Sequence, residues 1–461
     1  MGDGSGLTGV TATVGIDDLT DGKHDASASP SVFLGLNAGA VDDGTSNHNT
    51  GIGHLALNKV TSGYDNVAVG ANALENHTTG FYNTAVGVRA LQSVTTGLQN
   101  TAFGADALSS ITTSSGSVAV GNGALNANTT GSGNTAVGRS VLNNNTTGFQ
   151  NTGVGSNAME FATGSNNSGF GMNALYNATG SNNTGVGSGA LLNVTSGGSN
   201  TGIGYQSLYN TTTTSYNTSV GGYGLYYNKT GANNASVGYQ AGWGASNASN
   251  YNNNVLFGYQ AGYALRTGGD NNVMIGYQAG DATTTGASNI LIGSNVDATT
   301  ATASNQLNIG NTIYGDLAND YVGIGNTSPS VALDVTGDIE YTGIITDVSD
   351  RRLKQDIVTL PAGQLEKIAS VNPVSFAMIN NPSVTEYGVI AQELEEVFPI
   401  LVKTADDASE TKSVNYVGLI APMMSAISEL KALNEEQAVR LAKQESELQA
   451  LKETVKSLSA K

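Results

Sequence analysis

A serine and a lysine five residues apart, Ser349 and Lys354, have types and a spacing that can do covalent chemistry. A serine hydroxyl is a nucleophile when a base removes its proton, and a lysine amine can be that base where burial keeps it neutral. Residues five apart do not share one face of a straight helix, so a turn or a strand has to bring them together. The string by itself is common, and Asp350 is equally typical of a helix cap.

The composition of the chain changes near residue 348, so this pair lies at the start of a second segment. Of 61 glycines, 58 precede Ser349, and the net charge is 6 − 20 = −14 before Ser349 and 12 − 16 = −4 from Ser349 onward. A chain of 461 residues is too long for a single compact core, so we expect two or more structural units. The acidic charge disfavours a nucleic-acid partner.

Several other functional classes find no support in the sequence. The chain has no cysteine, which excludes disulfides and thiolate metal sites, and its start lacks the basic and apolar regions of a secretory signal. No apolar run approaches the ~18 residues of a membrane-spanning helix. The four histidines lack metal-ligand spacing, and there is no phosphate loop. We therefore expect no cofactor, no metal, no nucleic acid and no membrane insertion.

The acidic residues near the start of the chain are compatible with two interpretations. A calcium loop needs oxygen ligands at regular spacing, and Leu19 interrupts that spacing, so a solvated acidic turn is favoured. The residues concerned are Asp17, Asp18, Asp21 and Asp25.

The segment before residue 348 is dominated by a glycine that recurs every 17 residues. These ruler glycines run from Gly53 to Gly310 in 16 copies, and 11 of the 15 intervals are 17 residues long. The residue before each is Val, Ile or Phe, and asparagine lies four residues before it in 14 copies. Leucine or methionine lies four residues after it from Leu57 to Leu225. Such regularity predicts a stacked solenoid with one short half-buried strand per rung.

Each rung has too few large apolar residues to stabilise itself. Ordering the backbone costs about 1–2 kcal/mol per residue, so the rungs must stack and we expect several chains to associate. The asparagines are expected to hydrogen-bond along their column, as identical residues do in other ladders. At ~4.8 Å per rung, the copies span roughly 75–80 Å.

The repeats resemble the head repeats of trimeric autotransporter adhesins, which contain similar Asn-Thr-Ala-Val-Gly strings. The similarity covers about residues 47–312 and implies a trimeric left-handed β-roll. After it, alternating sequence with glycine turns up to Ile339 predicts a β-rich neck.

Residues 349–461 are similar to the endosialidase-type intramolecular chaperone domain that ends many phage tail fibres and tailspikes. The similarity lies in the Ser-Asp-x-x-x-Lys string and in Tyr387-Gly388-Val389-Ile390-Ala391-Gln392-Glu393-Leu394, Val397-Phe398-Pro399 and Val414-Asn415-Tyr416-Val417-Gly418-Leu419-Ile420. The resemblance implies that Ser349 is a nucleophile, that Lys354 is its base, and that the bond after Val348 is cut once by the chain itself.

The last ~40 residues form a heptad pattern that is typical of a coiled coil. A helix docked on its own domain is the alternative. The a positions are Ile420, Ile427, Asn434, Leu441, Leu448 and Val455, and the d positions are Met423, Leu430, Gln437, Gln444, Leu451 and Leu458.

Aromatic residues concentrate in one part of the repeat. Eleven of the 19 tyrosines lie between Tyr205 and Tyr277, together with the single tryptophan. Rings beside Asn and Gln can stack on sugars, which makes this zone a candidate glycan-binding site; the alternative is that the rings pack between rungs or chains. The candidate receptor-binding residues are Tyr239, Trp243, Tyr259 and Tyr277.

Together these patterns predict a mostly β, homotrimeric tail fibre of a phage or related particle that binds a host-surface glycan or protein. The alternatives are a bacterial surface adhesin at the cell surface and a polysaccharide-degrading tailspike; the latter needs paired carboxylates, and glutamate is scarce in the repeats. The expected divisions are an N-terminal segment that attaches to a tail or baseplate protein (1–34), the solenoid (35–312), the neck (313–348), the chaperone domain (349–418) and the trimeric coiled coil (419–461).

Overall fold

The computed structural model describes residues 22–24, 31–43, 47–245, 249–346, 348–379, 381–404 and 410–460. These residues form two compact units, Met1–Asp338 and Ile339–Lys461. The first is a mostly β solenoid with rungs of about 17 residues, and the second is a small α+β unit that ends in a long helix. The predicted fold class is therefore confirmed. No helix among the described residues combines the length and the apolar character needed to cross a bilayer.

The solenoid consists of short parallel strands that stack in chain order. Strand β1 (Gly22–His24) is antiparallel to β2 (Val32–Leu34), and parallel pairing then continues without a break from β2 to β18. The strands of this stack after β2 are β3 (Thr50–Ile52), β4 (Val67–Val69), β5 (Thr84–Val86), β6 (Thr101–Phe103), β7 (Val118–Val120), β8 (Thr135–Val137), β9 (Thr152–Val154), β10 (Ser168–Phe170), β11 (Thr184–Val186), β12 (Thr201–Ile203), β13 (Thr218–Val220), β14 (Ala235–Val237), β15 (Val255–Phe257), β16 (Val273–Ile275), β17 (Ile290–Ile292) and β18 (Gln306–Ile309).

The ruler glycines let neighbouring rungs approach each other closely. From Gly53 to Gly293 their φ angles lie between 123° and 143°, a region that L side chains rarely adopt. A β-carbon on Gly70 would lie 2.5 Å from the carbonyl oxygen of Gly87 in the next rung. Glycine is therefore needed for both backbone conformation and stacking distance. Gly35 has the same conformation, with φ 130°, and extends this column by one rung before the first copy recognised in the sequence.

The core is built from small inward residues of the strands and from the leucine column of the opposite turn. The middle residue of each strand points inward, as Ala85 and Ala102 do, whereas the residue before the ruler glycine points outward. The leucines, from Leu57 to Leu225, are fully buried with φ between 49° and 56°. A left-handed residue costs roughly 1–2 kcal/mol and burying a leucine contributes about 1.5–3 kcal/mol, so burial outweighs the strain.

The asparagine column connects each rung to the next and also crosses the rung. The backbone N–H of Asn83 donates to Oδ1 of Asn66 at 3.0 Å, and Asn83 Oδ1 accepts from the N–H of Asn100 at 3.1 Å. Asn83 Nδ2 donates to the carbonyl oxygen of Gly97 at 2.9 Å, which fixes the return turn. The predicted ladder is confirmed, and the bond to the return turn explains why glutamine and serine are rare there.

Toward the C-terminal end of the solenoid the large and small core residues exchange places. The middle strand residues become Leu256, Met274 and Leu291, which are buried. The position four after the ruler glycine becomes glycine, as at Gly280, where all three of the nearest atoms to an added β-carbon belong to Met274. The volume of the core is thus conserved while its source moves from the turn to the strand.

The segment after the last parallel strand is β-rich at its start, as predicted for the neck. Strand β18 pairs antiparallel with β19 (Ile313–Asp316), which pairs antiparallel with β20 (Tyr321–Ile324). Strand β21 (Leu333–Val335) then pairs parallel with β20. The antiparallel pairs close the end of the parallel stack, where an unpaired strand edge would otherwise be exposed.

The described residues of the second unit form three α-helices and two hairpins. The helices are α1 (Gln364–Ser370), α2 (Ala391–Val397) and α3 (Ile420–Ser459). One hairpin joins β22 (Pro373–Met378) to β23 (Asn381–Val389), and the other joins β24 (Val402–Thr404) to β25 (Lys412–Val414). Their small core consists of Leu394, Phe398 and Leu401, against which apolar residues of α1, β25 and α2 pack.

Candidate functional site

The structure places the side chains of Ser349 and Lys354 in contact. Lys354 Nζ donates a hydrogen bond to Ser349 Oγ at 2.6 Å. A short 3-10 helix, Arg351–Leu353, lies between them and reverses the chain so that the five-residue offset closes. The turn that the spacing demanded is therefore present. A distance of 2.6 Å between Ser349 Oγ and Lys354 Nζ suits transfer of the serine proton to a neutral lysine.

Asp350 holds this turn and takes no part in the contact between Ser349 and Lys354. Its Oδ1 accepts from the backbone N–H of Arg352 at 2.8 Å, which is a helix cap, and its carboxylate pairs with the Arg352 guanidinium at 2.6 Å. The side-chain hydrogen bond from Arg352, followed by the backbone bond from the same residue, holds the pKa of Asp350 below its ordinary value. The carboxylate therefore stays ionised while the turn is intact.

The pair lies on an open surface within one chain. Ser349 and Lys354 are both exposed, and so are two apolar neighbours, Val348 at 78% and Leu353 at 75%. A lysine works as a base when low dielectric surroundings disfavour its charge. The apolar neighbours offer a surface that a second chain can cover, and such cover would dehydrate the amine.

The N-terminus of α1 is fixed to α3 by one carboxylate. Glu429 Oε2 accepts from the N–H of Leu365 at 2.9 Å, and its Oε1 accepts from Gly363 and Gln364 at 3.0 and 3.1 Å. The bond from Leu365, helped by the other two, lowers the pKa of Glu429 despite partial desolvation. The first turns of α3 thus belong to the folded unit.

The rest of α3 is exposed to solvent in the single chain. Every residue from 431 to 460 is exposed, and the heptad side chains Leu441, Leu448 and Val455 are 57%, 51% and 57% exposed. The predicted long helix is confirmed. Docking over its whole length, the alternative, does not occur, because only the segment near Pro422 and Ala426 is buried.

An apolar row runs along the outside of the solenoid. We call it the outer row, and it consists of the residues immediately before the ruler glycines. In most rungs this side chain is 36–56% exposed, although it is always Val, Ile or Phe. A continuous apolar strip of this length is typical of an interaction surface. Its members are Ile52, Val69, Val86, Phe103, Val120, Val137, Val154, Phe170, Val186, Ile203, Val220, Val237, Phe257, Ile275, Ile292 and Ile309.

Three of the candidate receptor-binding tyrosines form one stack beside the outer row. Tyr239, Tyr259 and Tyr277 each follow a ruler glycine, and their rings stack at 5.8 and 5.3 Å with interplanar angles of 15° and 8°. Because the ring faces cover one another, what the stack presents to solvent is largely ring edges and hydroxyls. Next to it, Gln260 Nε2 donates to Gln240 Oε1 at 2.8 Å, so the neighbouring glutamines form a second ladder.

Trp243 belongs to a different stack on another side of the rung. Its ring stacks on Tyr226 at 4.7 Å and on Tyr263 at 6.2 Å, and Tyr226 stacks on Tyr209 at 5.2 Å. Tyr223 joins the two stacks through edge contacts with Trp243 and Tyr239 at 5.3 and 5.8 Å. The four candidate residues are thus divided between two neighbouring stacks that Tyr223 connects, and packing between rungs, the alternative, occurs in both.

Sequence reasoning missed a polar groove beside the Trp243 stack. It has a volume of about 370 Å³ and is lined by Asn177, Asn193, Asn210, Thr195, Thr212 and Lys229. The signal that could have found it is the position of asparagine six residues after successive ruler glycines.

The remaining sequence candidates are the aspartates near the start of the chain and the histidines. Asp17, Asp18, Asp21 and Asp25, considered as a calcium loop, lie outside the described residues. His77 is buried, and its Nε2 lies 2.8 Å from the carbonyl oxygen of Gly80. Burial lowers the pKa of His77, so its ring is neutral near pH 7. In the part of the chain that the structure describes, no three metal-ligating side chains cluster.

Comparison with known proteins finds a family match within the second unit. Residues 349–403 match the model of a family described as the chaperone of endosialidase, Peptidase_S74. No curated protein matches the chain. A β-solenoid followed by a segment similar to the chaperone of endosialidase fits fibre-like and tailspike-like proteins. The match begins at Ser349 and includes Lys354.

Proposed function

We propose that the chain is a structural tail fibre of a phage or phage-like particle, in which three copies associate and bind a receptor on the host surface. The N-terminal segment attaches to the tail or baseplate, and the chaperone domain assembles the trimer. The observation that carries the proposal is the outer row, an apolar strip along the solenoid of a chain that also contains a chaperone domain.

The outer row supports association along the whole fibre. Covering the exposed part of one Val or Ile contributes roughly 0.5–1 kcal/mol, about a third of full burial. Summed over the 16 members of the row, this gives roughly 8–16 kcal/mol, which is comparable to the whole folding free energy of a typical domain. A closed arrangement in which each chain covers the row of its neighbour avoids open-ended filament growth.

The exposed heptads of α3 support the same assembly. The polar residues Asn434, Gln437 and Gln444 interrupt the apolar a and d positions. Polar core layers of this kind weaken a coiled coil but fix its register and number of strands. An aligned coiled coil at one end brings the three solenoids into register before their rows meet.

The contact between Ser349 and Lys354 supports a single self-cleavage after assembly. In this proposal Ser349 Oγ attacks the carbonyl carbon of Val348 while Lys354 Nζ accepts the hydroxyl proton. The intermediate collapses by breaking the bond to the Ser349 nitrogen, which takes that proton and leaves an ester. Water then hydrolyses the ester, giving a Val348 carboxylate and restoring the Ser349 hydroxyl. Because the bond belongs to the nucleophile's own residue, each chain turns over once.

Sedimentation velocity of the full-length chain in dilute buffer tests the assembly. The expected species is a trimer of the 46.8 kDa chain, or of its two fragments. Replacing Val137, Val186 and Val220 of the outer row together by aspartate should separate the solenoids and give folded solenoid monomers once the segment that contains α3 has been cut off after Val348. The matched control places aspartate at Thr79, Thr130 and Thr213, which are exposed away from the row, and should remain trimeric. A well-folded wild-type monomer would contradict the proposal.

A further inference from the structure

The polar groove beside the Trp243 stack lies in a region of unusual charge. Glu160 and Asp270 are consecutive acidic residues, so the 109 positions from 161 to 269 contain none, in a chain with 36. The same stretch contains Lys229 and Arg266, which gives it a net charge of +2 against −18 for the chain. An anionic ligand is therefore repelled by most of the fibre and not by this part of it.

Equivalent groups recur along the groove once per rung. Asn177, Asn193 and Asn210 follow one column, and Thr195, Thr212 and Lys229 follow another two positions further along each rung. Asn177 and Asn210 use Nδ2 to bond the backbone of the next rung, at 3.4 and 3.1 Å, which holds the amides in line. A row of identical amides at ~4.8 Å spacing suits a linear polymer better than one compact molecule.

Lys229 is the cation of the groove. Its side chain is exposed and makes no ion pair with any residue that the structure describes. Lys59 is a lysine of the solenoid that lies six residues after its ruler glycine, whereas Lys229 lies eight residues after its own. Lys59 donates to Asn76 Oδ1 at 2.7 Å and lies among rungs that contain Asp65 and Glu75. The ammonium of Lys229 thus differs from that of Lys59, because it has no ion-pair partner among the described residues and no acidic residue occurs in its own rung or in the neighbouring rungs.

The groove stays accessible in the proposed trimer. Its residues lie six and eight positions after the ruler glycine, whereas the outer row lies one position before it. In a rung of 17 residues this separation is about half a turn, so the groove and the outer row face different directions. Next to the groove, the ring edges of Tyr209 and Tyr226 offer an apolar wall with hydroxyls.

We infer that this groove binds a linear polysaccharide that carries carboxylate groups, with Lys229 pairing one carboxylate and the asparagine and threonine side chains bonding sugar hydroxyls. The inference rests on the proposed receptor-binding function and names the chemical class of the receptor. The Thr195 and Thr212 hydroxyls donate to carbonyl oxygens of the next rung and so offer acceptors to a ligand, whereas the asparagine amides supply both donors and acceptors, which sugar hydroxyls require. The ammonium supplies the preference for acidic chains.

The test measures binding of the full-length protein to an array of bacterial polysaccharides that includes carboxylated and neutral members. We expect signals on carboxylated glycans, with affinity reduced at least about tenfold by Lys229→Glu and unchanged by Lys59→Glu. Raising salt from about 0.05 to 0.5 M should weaken the wild type and have little effect on Lys229→Gln, because screening acts on the charge pair.

Each other outcome overturns the inference and leaves the fibre function to its own test. Equal binding to neutral glycans, or carboxylate-dependent binding that survives Lys229→Glu, would place the receptor site elsewhere on a functional fibre. Absence of binding to every acidic glycan by a trimer of correct mass would refute the groove as a glycan site. The trimer itself is judged by sedimentation and does not depend on this result.

Discussion

Lys354 Nζ lies 2.6 Å from Ser349 Oγ, across a turn that is held by a third residue. Asp350 caps that turn and pairs with Arg352. The contact therefore depends on a carboxylate that need not touch the reacting atoms. This arrangement separates the residue that positions the pair from the pair itself, and the two roles can be tested independently.

Replacing either member of the pair should abolish self-cleavage. In the proposed reaction, Ser349→Ala removes the nucleophile and Lys354→Met removes the base while keeping a similar side-chain volume. Intact-mass measurement of the purified protein should show two fragments, produced by cleavage between Val348 and Ser349, for the wild type and one full-length chain for each variant. Asp350→Asn should slow cleavage without stopping it, because asparagine also caps a helix. An uncut wild-type trimer would reject the catalytic assignment.

Adding a methyl group to a ruler glycine should break the stack locally. Gly87→Ala forces an L residue to φ 136° and places its β-carbon 2.5 Å from the Gly104 carbonyl. We expect a loss of at least about 3 kcal/mol in the free energy of unfolding, measured by denaturant titration. Gly116→Asn is the matched control, because φ is 71° there and no atom lies within 4 Å of an added β-carbon. Equal losses for the two variants would contradict the packing argument.

The exchange of large and small core residues predicts a compensating pair. Met274→Ala should leave a cavity and cost about 2–5 kcal/mol, and Gly280→Leu should collide with the Met274 side chain. The double variant recreates the alanine and leucine of earlier rungs. Its loss in the free energy of unfolding should therefore be smaller than the sum of the losses of the two single variants by at least about 1 kcal/mol. Additive losses would show that the two positions do not share one volume.

His77 should make the stability of its rungs depend on pH. Burial lowers its pKa below the ordinary value of 6.5, and Nδ1 has no hydrogen-bond partner in the structure. Between the folded pKa and about 6.5 the unfolded chain binds more protons, so the free energy of unfolding falls as pH falls, by up to ~1.4 kcal/mol per pH unit.

Substituting the residue found in both neighbouring rungs should remove this dependence. His77→Val, which introduces the side chain of Val60 and Val94, should reduce hydrogen exchange of nearby amides at pH 5.5 more than at pH 7.5. The exposed His54 provides the control, since His54→Gln should change exchange at neither pH. A wild-type protein whose exchange near residue 77 follows only the intrinsic pH dependence would contradict the prediction.

Several elements were predictable because their causes are local or repeat. The regular spacing of the ruler glycines from Gly53 to Gly293 dictates stacked rungs. In such a stack, the asparagine that lies four residues before most of these glycines comes next to the equivalent asparagine of the neighbouring rung. The spacing of Ser349 and Lys354 demanded a turn, and the heptads of the last segment demanded a long helix. In each case the signal lies within one rung, one turn or one helix face.

The directions in which side chains point were settled only by the tertiary structure. Alternation in Thr84–Val86 defines two faces of a strand, yet it leaves open which face turns inward. Ala85 points inward because the buried Leu91 of the following turn fills the space, and the larger Val86 is left outside. The same packing of rungs stacks Tyr226 on Trp243 and lines up the groove beside them.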